Sequence, residues 1–213
     1  MPRTAALRSL DSPVSPRRAE ICRTAARIFR ERGFDATSVN DVARALRLTK
    51  AGLYHYFESK EALLFEIMSF GLDRVRKEVM VPARRIRDPE QRLYQIVVRH
   101  ATIATRAQGA VAQLFEETRA LPAPARRIVQ AQQREFVALV RDTLRELDRA
   151  GRLRKVDPTV AAFSIIGMVL WLPRWFRPGG RLTSEQAAEA IAGLALAAVL
   201  RPRVAARRGR RRR

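Results

Sequence analysis

Apolar residues recur at helical spacing along nearly the whole chain. In residues 17–32, Ile21, Ala25, Ile28 and Phe29 mark one helical face, and Gly33 followed by Phe34 reads as a C-terminal stop with a hydrophobic latch. Thr37 is placed to cap a short second helix with Val39, Val42, Ala43 and Leu46 as its stripe. Thr49 caps a third, in which Leu53 and Phe57, four apart, face inward. Ser59 caps a fourth, apolar at Leu63, Leu64, Ile67, Met68 and Leu72 and running to Val81 before Pro82.

The remaining periodicity predicts helices over 89–109, 110–121, 124–150 with Gly151 as stop, 157–176 and 183–200, about nine in total. Asp157 as cap and Pro158 as first helical residue is a strong start signal. Residues 161–172 are apolar almost all round, as a helix covered by neighbours on every face would be. With the similarly apolar 187–200 they suggest a two-helix surface that meets its own copy, making a homodimer through the last two helices. The expected fold is all-α. Residues 1–15 form a Pro- and Ser-rich flexible arm, 16–62 a three-helix DNA-binding domain with a helix-turn-helix, 63–200 a ligand-binding and dimerisation domain, and 201–213 a disordered tail.

Short capped helices joined by a four-residue turn, the second aromatic and basic, are what a helix-turn-helix needs to enter a major groove. Thr49, Lys50, Ala51 and Gly52 occupy the first turn of the recognition helix, the part that reaches base edges, and Gly52 allows close backbone approach. With Leu53 and Phe57 inward, Tyr54 and His55 point out, where aromatics with polar tips suit phosphate and base contact, and Tyr56 has a mixed role. Lys60, opening the fourth helix, is placed to bond a phosphate with the help of that helix's free amides.

Charge adds less than its size suggests. Lys and Arg total 42 against 21 acids, a net +21 that points to a polyanionic partner, but only four of the 42 are Lys, and an Arg- and Ala-heavy chain is what a GC-rich genome encodes. Its distribution says more, because residues 201–213 hold eight Arg and no acid, a run suited to non-specific phosphate attraction. A charge-driven, weakly specific nucleoid-type protein is therefore the alternative function. It explains the charge but not the capped reading helix.

Several classes are set aside. The lone Cys22 allows no intramolecular disulfide and, within a helical apolar pattern, is expected buried in a cytoplasmic protein. The longest apolar runs, 165–172 and 190–200, are short for a bilayer, and no secretory signal opens the chain, so no membrane partner is expected. No phosphate-cradling glycine loop, nucleophile elbow or His-carboxylate pattern points to an enzyme. One thiol and two histidines assemble no metal cluster, and no cofactor is implied.

The run Gly33-Phe34-x-x-Thr37-Ser38-x-x-x-Val42-Ala43, followed by Leu48-Thr49-Lys50-Ala51-Gly52-Leu53-Tyr54-His55-Tyr56-Phe57-x-Ser59-Lys60-Glu61-Ala62-Leu63, resembles the DNA-binding signature of TetR-family regulators. The resemblance implies a cytoplasmic homodimeric repressor that binds a pseudo-palindromic double-stranded operator and is released by a small-molecule effector. It also implies DNA contact at Thr37, Thr49 to Gly52, Tyr54, His55 and Lys60. Arg47 departs from the pattern, standing in a turn where Gly is frequent; a positive φ there would strain it.

A looser resemblance, carried by Asp157-Pro158 and by Gly167-Met168-x-x-Trp171-x-x-x-Trp175-Phe176-Arg177-Pro178-Gly179-Gly180-Arg181-Leu182-Thr183, is to the acyl-CoA-responsive members of the family. It implies an acyl-CoA thioester as effector. Such a ligand needs an apolar tunnel and cations for its phosphates, for which Phe115, Phe136, Val140, Phe163 and Met168, with Arg99, Arg106, Arg134 and Arg174, are the candidates. Trp171 and Trp175, one turn apart, read as core or dimer-seam packing.

Overall fold

The computed structural model describes residues 15–106 and 115–202. The expectations for the N-terminal arm, for the junction of the helices expected over 89–109 and 110–121, for the side chain of Phe115 and for the Arg-rich tail beyond Pro202 lie outside the described residues. Among the described residues the fold is all helical, with one isolated bridge between Leu153 and Leu200. The helices are α1 (Pro16–Arg32), α2 (Val39–Ala45), α3 (Lys50–Tyr54), α4 (Lys60–Val75), α5 (Pro89–Thr105), α6 (Ala123–Arg149), α7 (Pro158–Trp175) and α8 (Ser184–Val199). α4 runs on through a π-helical turn, Arg76–Met80, into a further α-helical turn, Val81–Arg84. A 3₁₀ segment, Phe115–Ala120, stands where residues 110–121 were expected to form an α-helix.

The ends of these helices follow from their capping residues. Ser15, Thr49, Ser59, Asp88, Asp157 and Thr183 each accept a first-turn amide. Asp157 accepts from Thr159 and Val160 at 2.8 and 3.1 Å, and those bonds, that from the Val160 amide foremost, hold its carboxyl below the usual carboxylate range. At the C-terminal ends, Gly33 (φ 86°) closes α1 and Gly151 (φ 66°) follows α6, in a region where a side chain would be strained. Phe34 folds back edge-on to Phe29, ring centres 5.1 Å apart, as the latch requires.

One cap differs from expectation. Ser38, not Thr37, caps α2: its hydroxyl accepts from the Asp41 amide at 3.2 Å and the Asp41 carboxylate accepts from the Ser38 amide at 2.9 Å, a reciprocal capping box. Thr37 is 1% exposed and donates its hydroxyl to the Gly33 carbonyl at 2.8 Å, closing the α1–α2 connection from inside.

Two cores share α4 and α6. The first gathers Ile21, Phe29, Phe34, Leu53, Phe57, Leu64 and Met68 and reaches Leu72; the second gathers Val79, Leu93, Ile96, Phe136, Val140, Leu144, Ile165 and Leu172. Leu63, Leu64, Ile67, Met68 and Leu72, expected beyond the 62/63 division, pack into the first core. Leu121, just before α6, and Ala125 and Val129 of its opening turns join them there. The π-helical turn falls where α4 passes from one core to the other. α7 is apolar enough by length and composition to cross a membrane, but only one side of it is covered here. Ala161, Ala162, Ile165, Ile166, Val169 and Leu172 are buried, while Val160, Phe163, Leu170, Trp171 and Trp175 are exposed.

Candidate nucleic-acid interface and effector domain

α3 is five residues long, too short to hold itself in water, so its attitude is set by what it buries. Leu53 and Phe57 are that anchor, and removing each from water stabilises the packing by roughly 1.5–3 kcal/mol. With those two inward, Thr49, Lys50, Ala51, Tyr54 and His55 are exposed, and Gly52 and Tyr56 are partly so. The Thr49 hydroxyl accepts from the Gly52 amide at 3.0 Å. A Cβ on Gly52 would stand 3.2 Å from that hydroxyl, so glycine here also leaves room for the cap. Lys50 leans toward the Tyr54 ring, Nζ 5.9 Å from its centre, and His55 meets Tyr56 edge-on at 5.4 Å.

The sequence assigned Lys60 to phosphate; in the structure its ammonium serves the fold. It donates to the carbonyls of Phe34 at 2.9 Å and Thr37 at 3.1 Å and lies 4.2 Å from the centre of the Phe34 ring. An ammonium has three donors, so one stays available. Lys60 also lines an open cleft of about 440 Å³ beside α3, together with Asp35, Ser38, Tyr54, Ser59 and Glu61. Thr37 lines this cleft as well, but its buried, inward-bonded hydroxyl has no side-chain contact to offer. Arg47 adopts φ 54°, the positive value the departure from Gly implied, and its side chain is exposed at the turn.

Sequence reasoning missed Arg18. It donates to the Tyr56 carbonyl at 2.7 Å and to Glu66 at 3.3 Å, and stacks 4.4 Å above the Phe57 ring, binding α1 to the exit of α3 and the middle of α4. Nothing in the local pattern signals these contacts, which span 38 and 48 residues. Cys22 is buried as expected, and burial pushes its thiol well above the ordinary range, which makes it unreactive.

In the second unit the structure divides the ligand candidates. Phe136 and Val140 are buried side by side on α6. Phe163 and Met168 are not with them: they stand on the outward side of α7, Phe163 at 58% exposure, and cannot line an interior site in the single chain. Arg99 and Arg106 converge on Glu78 in the π-helical turn, Arg99 on its carbonyl at 3.4 Å and Arg106 on its carboxylate at 3.8 Å. Arg134 is exposed on α6, and Arg174 stacks 4.6 Å over Trp171 on the outward side of α7. Two polar groups the sequence did not select lie near Phe136. His100 meets its ring edge-on at 4.9 Å, and burial lowers the imidazole pKa to about 4, so it is neutral. Gln132, one turn before Phe136, has a buried Oε1 with no hydrogen-bond partner among the described residues.

The chain matches known proteins over both units. Residues 21–67 match the family model for bacterial regulatory proteins of the tetR family, and residues 87–199 match a tetracyclin repressor-like C-terminal domain. The HTH-type transcriptional repressor KstR2 of Rhodococcus jostii (strain RHA1) is 30% identical over 190 residues, 88% of this chain and 93% of that protein. Among solved structures, AibR in complex with isovaleryl coenzyme A and operator DNA is similar with TM-score 0.76 and 38% identity, over 84% of this chain and 97% of that one. The ketosteroid transcriptional regulator KstR2 of Mycobacterium tuberculosis is similar with TM-score 0.80 and 25% identity, over 91% and 100%.

Proposed function

The chain belongs to the TetR family of bacterial regulatory proteins, and from that premise we propose that it is a homodimeric repressor that reads a pseudo-palindromic operator and releases it on binding an acyl-CoA thioester. The observation that carries the DNA half is the exposed aromatic and cationic side of α3, held out by buried Leu53 and Phe57. Thr49, Lys50, Ala51 and Gly52 approach base edges, Tyr54, His55 and Tyr56 approach bases and phosphates, and the cleft at Ser59 and Lys60 seats a phosphate at the start of α4. Thr37 is a positioning residue in this scheme, since its hydroxyl is spent inside the fold.

Dimerisation is supported by the uncovered side of α7 and α8. Val160, Phe163, Trp171 and Trp175 and, on α8, Leu194 at 64% exposure present more large apolar surface than a solitary chain would leave to water. The acyl-CoA half rests on likeness to AibR, solved with isovaleryl coenzyme A, and on the make-up of the second core. Phe136 and Val140 offer an apolar site, while neutral His100 and the unpartnered Gln132 oxygen match the amide groups of a pantetheine arm. Arg99 and Arg106 supply charge for its phosphates, with Arg134 the more distant candidate.

The test is to titrate a complex of the protein and DNA from upstream of its own gene with short, branched and aromatic acyl-CoA thioesters. Release by one thioester, with free coenzyme A inactive, is the expected result. Retention of the complex by all of them would overturn the acyl-CoA assignment.

A further inference from the structure

The turn that carries the chain from α2 into α3 is closed by a pair of backbone bonds. The Leu48 amide donates to the Ala43 carbonyl at 2.9 Å and the Arg47 amide to the Arg44 carbonyl at 3.1 Å, the paired bonds of a Schellman ending. Such an ending needs a left-handed residue just past the helix, and that residue is Arg47, with φ 54°. Glycine suits this position because a Cβ there crowds the following carbonyl. Among the described residues the other positive φ values all fall on glycines, Gly33, Gly151 and Gly179, so Arg47 alone carries a side chain in that region.

Among the described residues no contact of the Arg47 side chain offsets that strain. The side chain is exposed and has no ion pair, hydrogen bond or ring contact there. Asp41, the acid of α2, is engaged by Ser38 and Arg44. The turn is held by its neighbours instead: Ala43 and Leu46 are buried, Leu48 is half-buried against the first core, and the Arg17 guanidinium reaches the Leu46 carbonyl from α1 at 3.4 Å. A strained residue with no compensating contact in the fold directs attention to a contact outside it. In a helix-turn-helix the first helix crosses the phosphate backbone and the second enters the groove by its N-terminal turn, so the connection between them passes the groove wall. Arg47 stands in that connection, two residues before Thr49, the cap of α3.

We propose that Arg47 is a further DNA-contacting residue, its guanidinium bonded to a phosphate at the edge of the groove that α3 enters. The inference rests on α3 being the reading helix and adds to it a residue whose type departs from the family pattern. A guanidinium suits the role, since it stays charged and can grip phosphate oxygens with paired N–H donors. The contact fixes how α3 is seated and reads no base, because phosphates carry no sequence. The rigid turn matters here: a long side chain leaving a fixed backbone has less freedom to lose on binding than one leaving a mobile loop.

The experiment compares Arg47→Gly with wild type on DNA from upstream of its own gene and on random duplex, over about 50–200 mM salt, with urea denaturation of the free protein alongside. Glycine relieves the left-handed turn, so the variant unfolds at a urea concentration no lower than wild type. It nevertheless binds the operator roughly fivefold or more weakly near physiological salt, with a log–log salt slope shallower by about 0.9 for each chain bound. Random duplex loses affinity in like proportion, as a phosphate contact requires. Arg47→Asn, which also tolerates the left-handed region, gives the same losses and carries the test should glycine loosen the turn, while Arg47→Lys keeps the wild-type slope. Affinity and slope unchanged in both neutral variants, a lower unfolding midpoint in both, or a loss confined to operator with the slope unchanged would each overturn the assignment and leave α3 as the reading helix. Wild type that does not prefer operator to random duplex would remove the reading helix and this contact together.

Discussion

At the scale of single residues, buried polar groups are the most informative. His100 lies against Phe136 with its ring neutral, its pKa lowered to about 4 by burial from an ordinary 6.5. Below pH 6.5 the unfolded chain takes up a proton that the folded chain refuses until about pH 4, so stability falls as pH drops through that window. The loss amounts to about 2–3 kcal/mol at its lower end. Urea denaturation between pH 7 and 4 should show His100→Phe losing correspondingly less than wild type over that range, and parallel curves would mean that the imidazole is solvated in the folded protein. The Thr37 and Ser38 hydroxyls show what was legible at this scale. Both can cap and the sequence reading chose Thr37, but only Ser38, with Asp41 three residues on, completes the reciprocal bonds at 3.2 and 2.9 Å. The positive φ at Arg47 was legible only through the resemblance, as the residue type itself argues against it.

At the scale of elements, helices were legible because their signals are local: caps, stops and apolar stripes lie within a few residues of what they control. What was not legible acts across the chain. Lys60 reaches carbonyls 23 and 26 residues away, and Arg18 reaches 38 and 48 residues, so no window of sequence contains either contact. Both hold α3 and its neighbours in a fixed attitude. Arg18→Met removes the donor to the Tyr56 carbonyl and strands the half-buried Glu66. The variant should lose about 1–3 kcal/mol of stability and weaken operator binding, as read by urea denaturation and fluorescence anisotropy. Unchanged stability would show that the clamp is incidental. The π-helical turn of α4 also went unread. It carries Val79 and Met80 into the second core, and Arg99 and Arg106 both reach its Glu78.

At the scale of the whole molecule, the apolar pattern of the last two helices was only partly read. Residues 161–172 were read as covered on every face, yet in the single chain one side is open, and Phe163 and Met168, chosen as ligand contacts, lie on that side. A pattern apolar all round does not distinguish burial within a chain from burial between two copies, because the hydrophobic effect is indifferent to which chain supplies the cover.

The central claim is that two copies of α3, fixed by a dimer, read a specific site. The most direct measurement is binding of the purified protein to DNA from upstream of its own gene, at near-physiological salt and with excess random-sequence competitor, with the mass of the complex determined. The account predicts retention of the specific duplex, at an affinity about a thousandfold or more above that for random DNA, with an even number of chains per site. Equal displacement by random DNA, or one chain per site, would contradict it and leave charge as the reason this protein binds DNA.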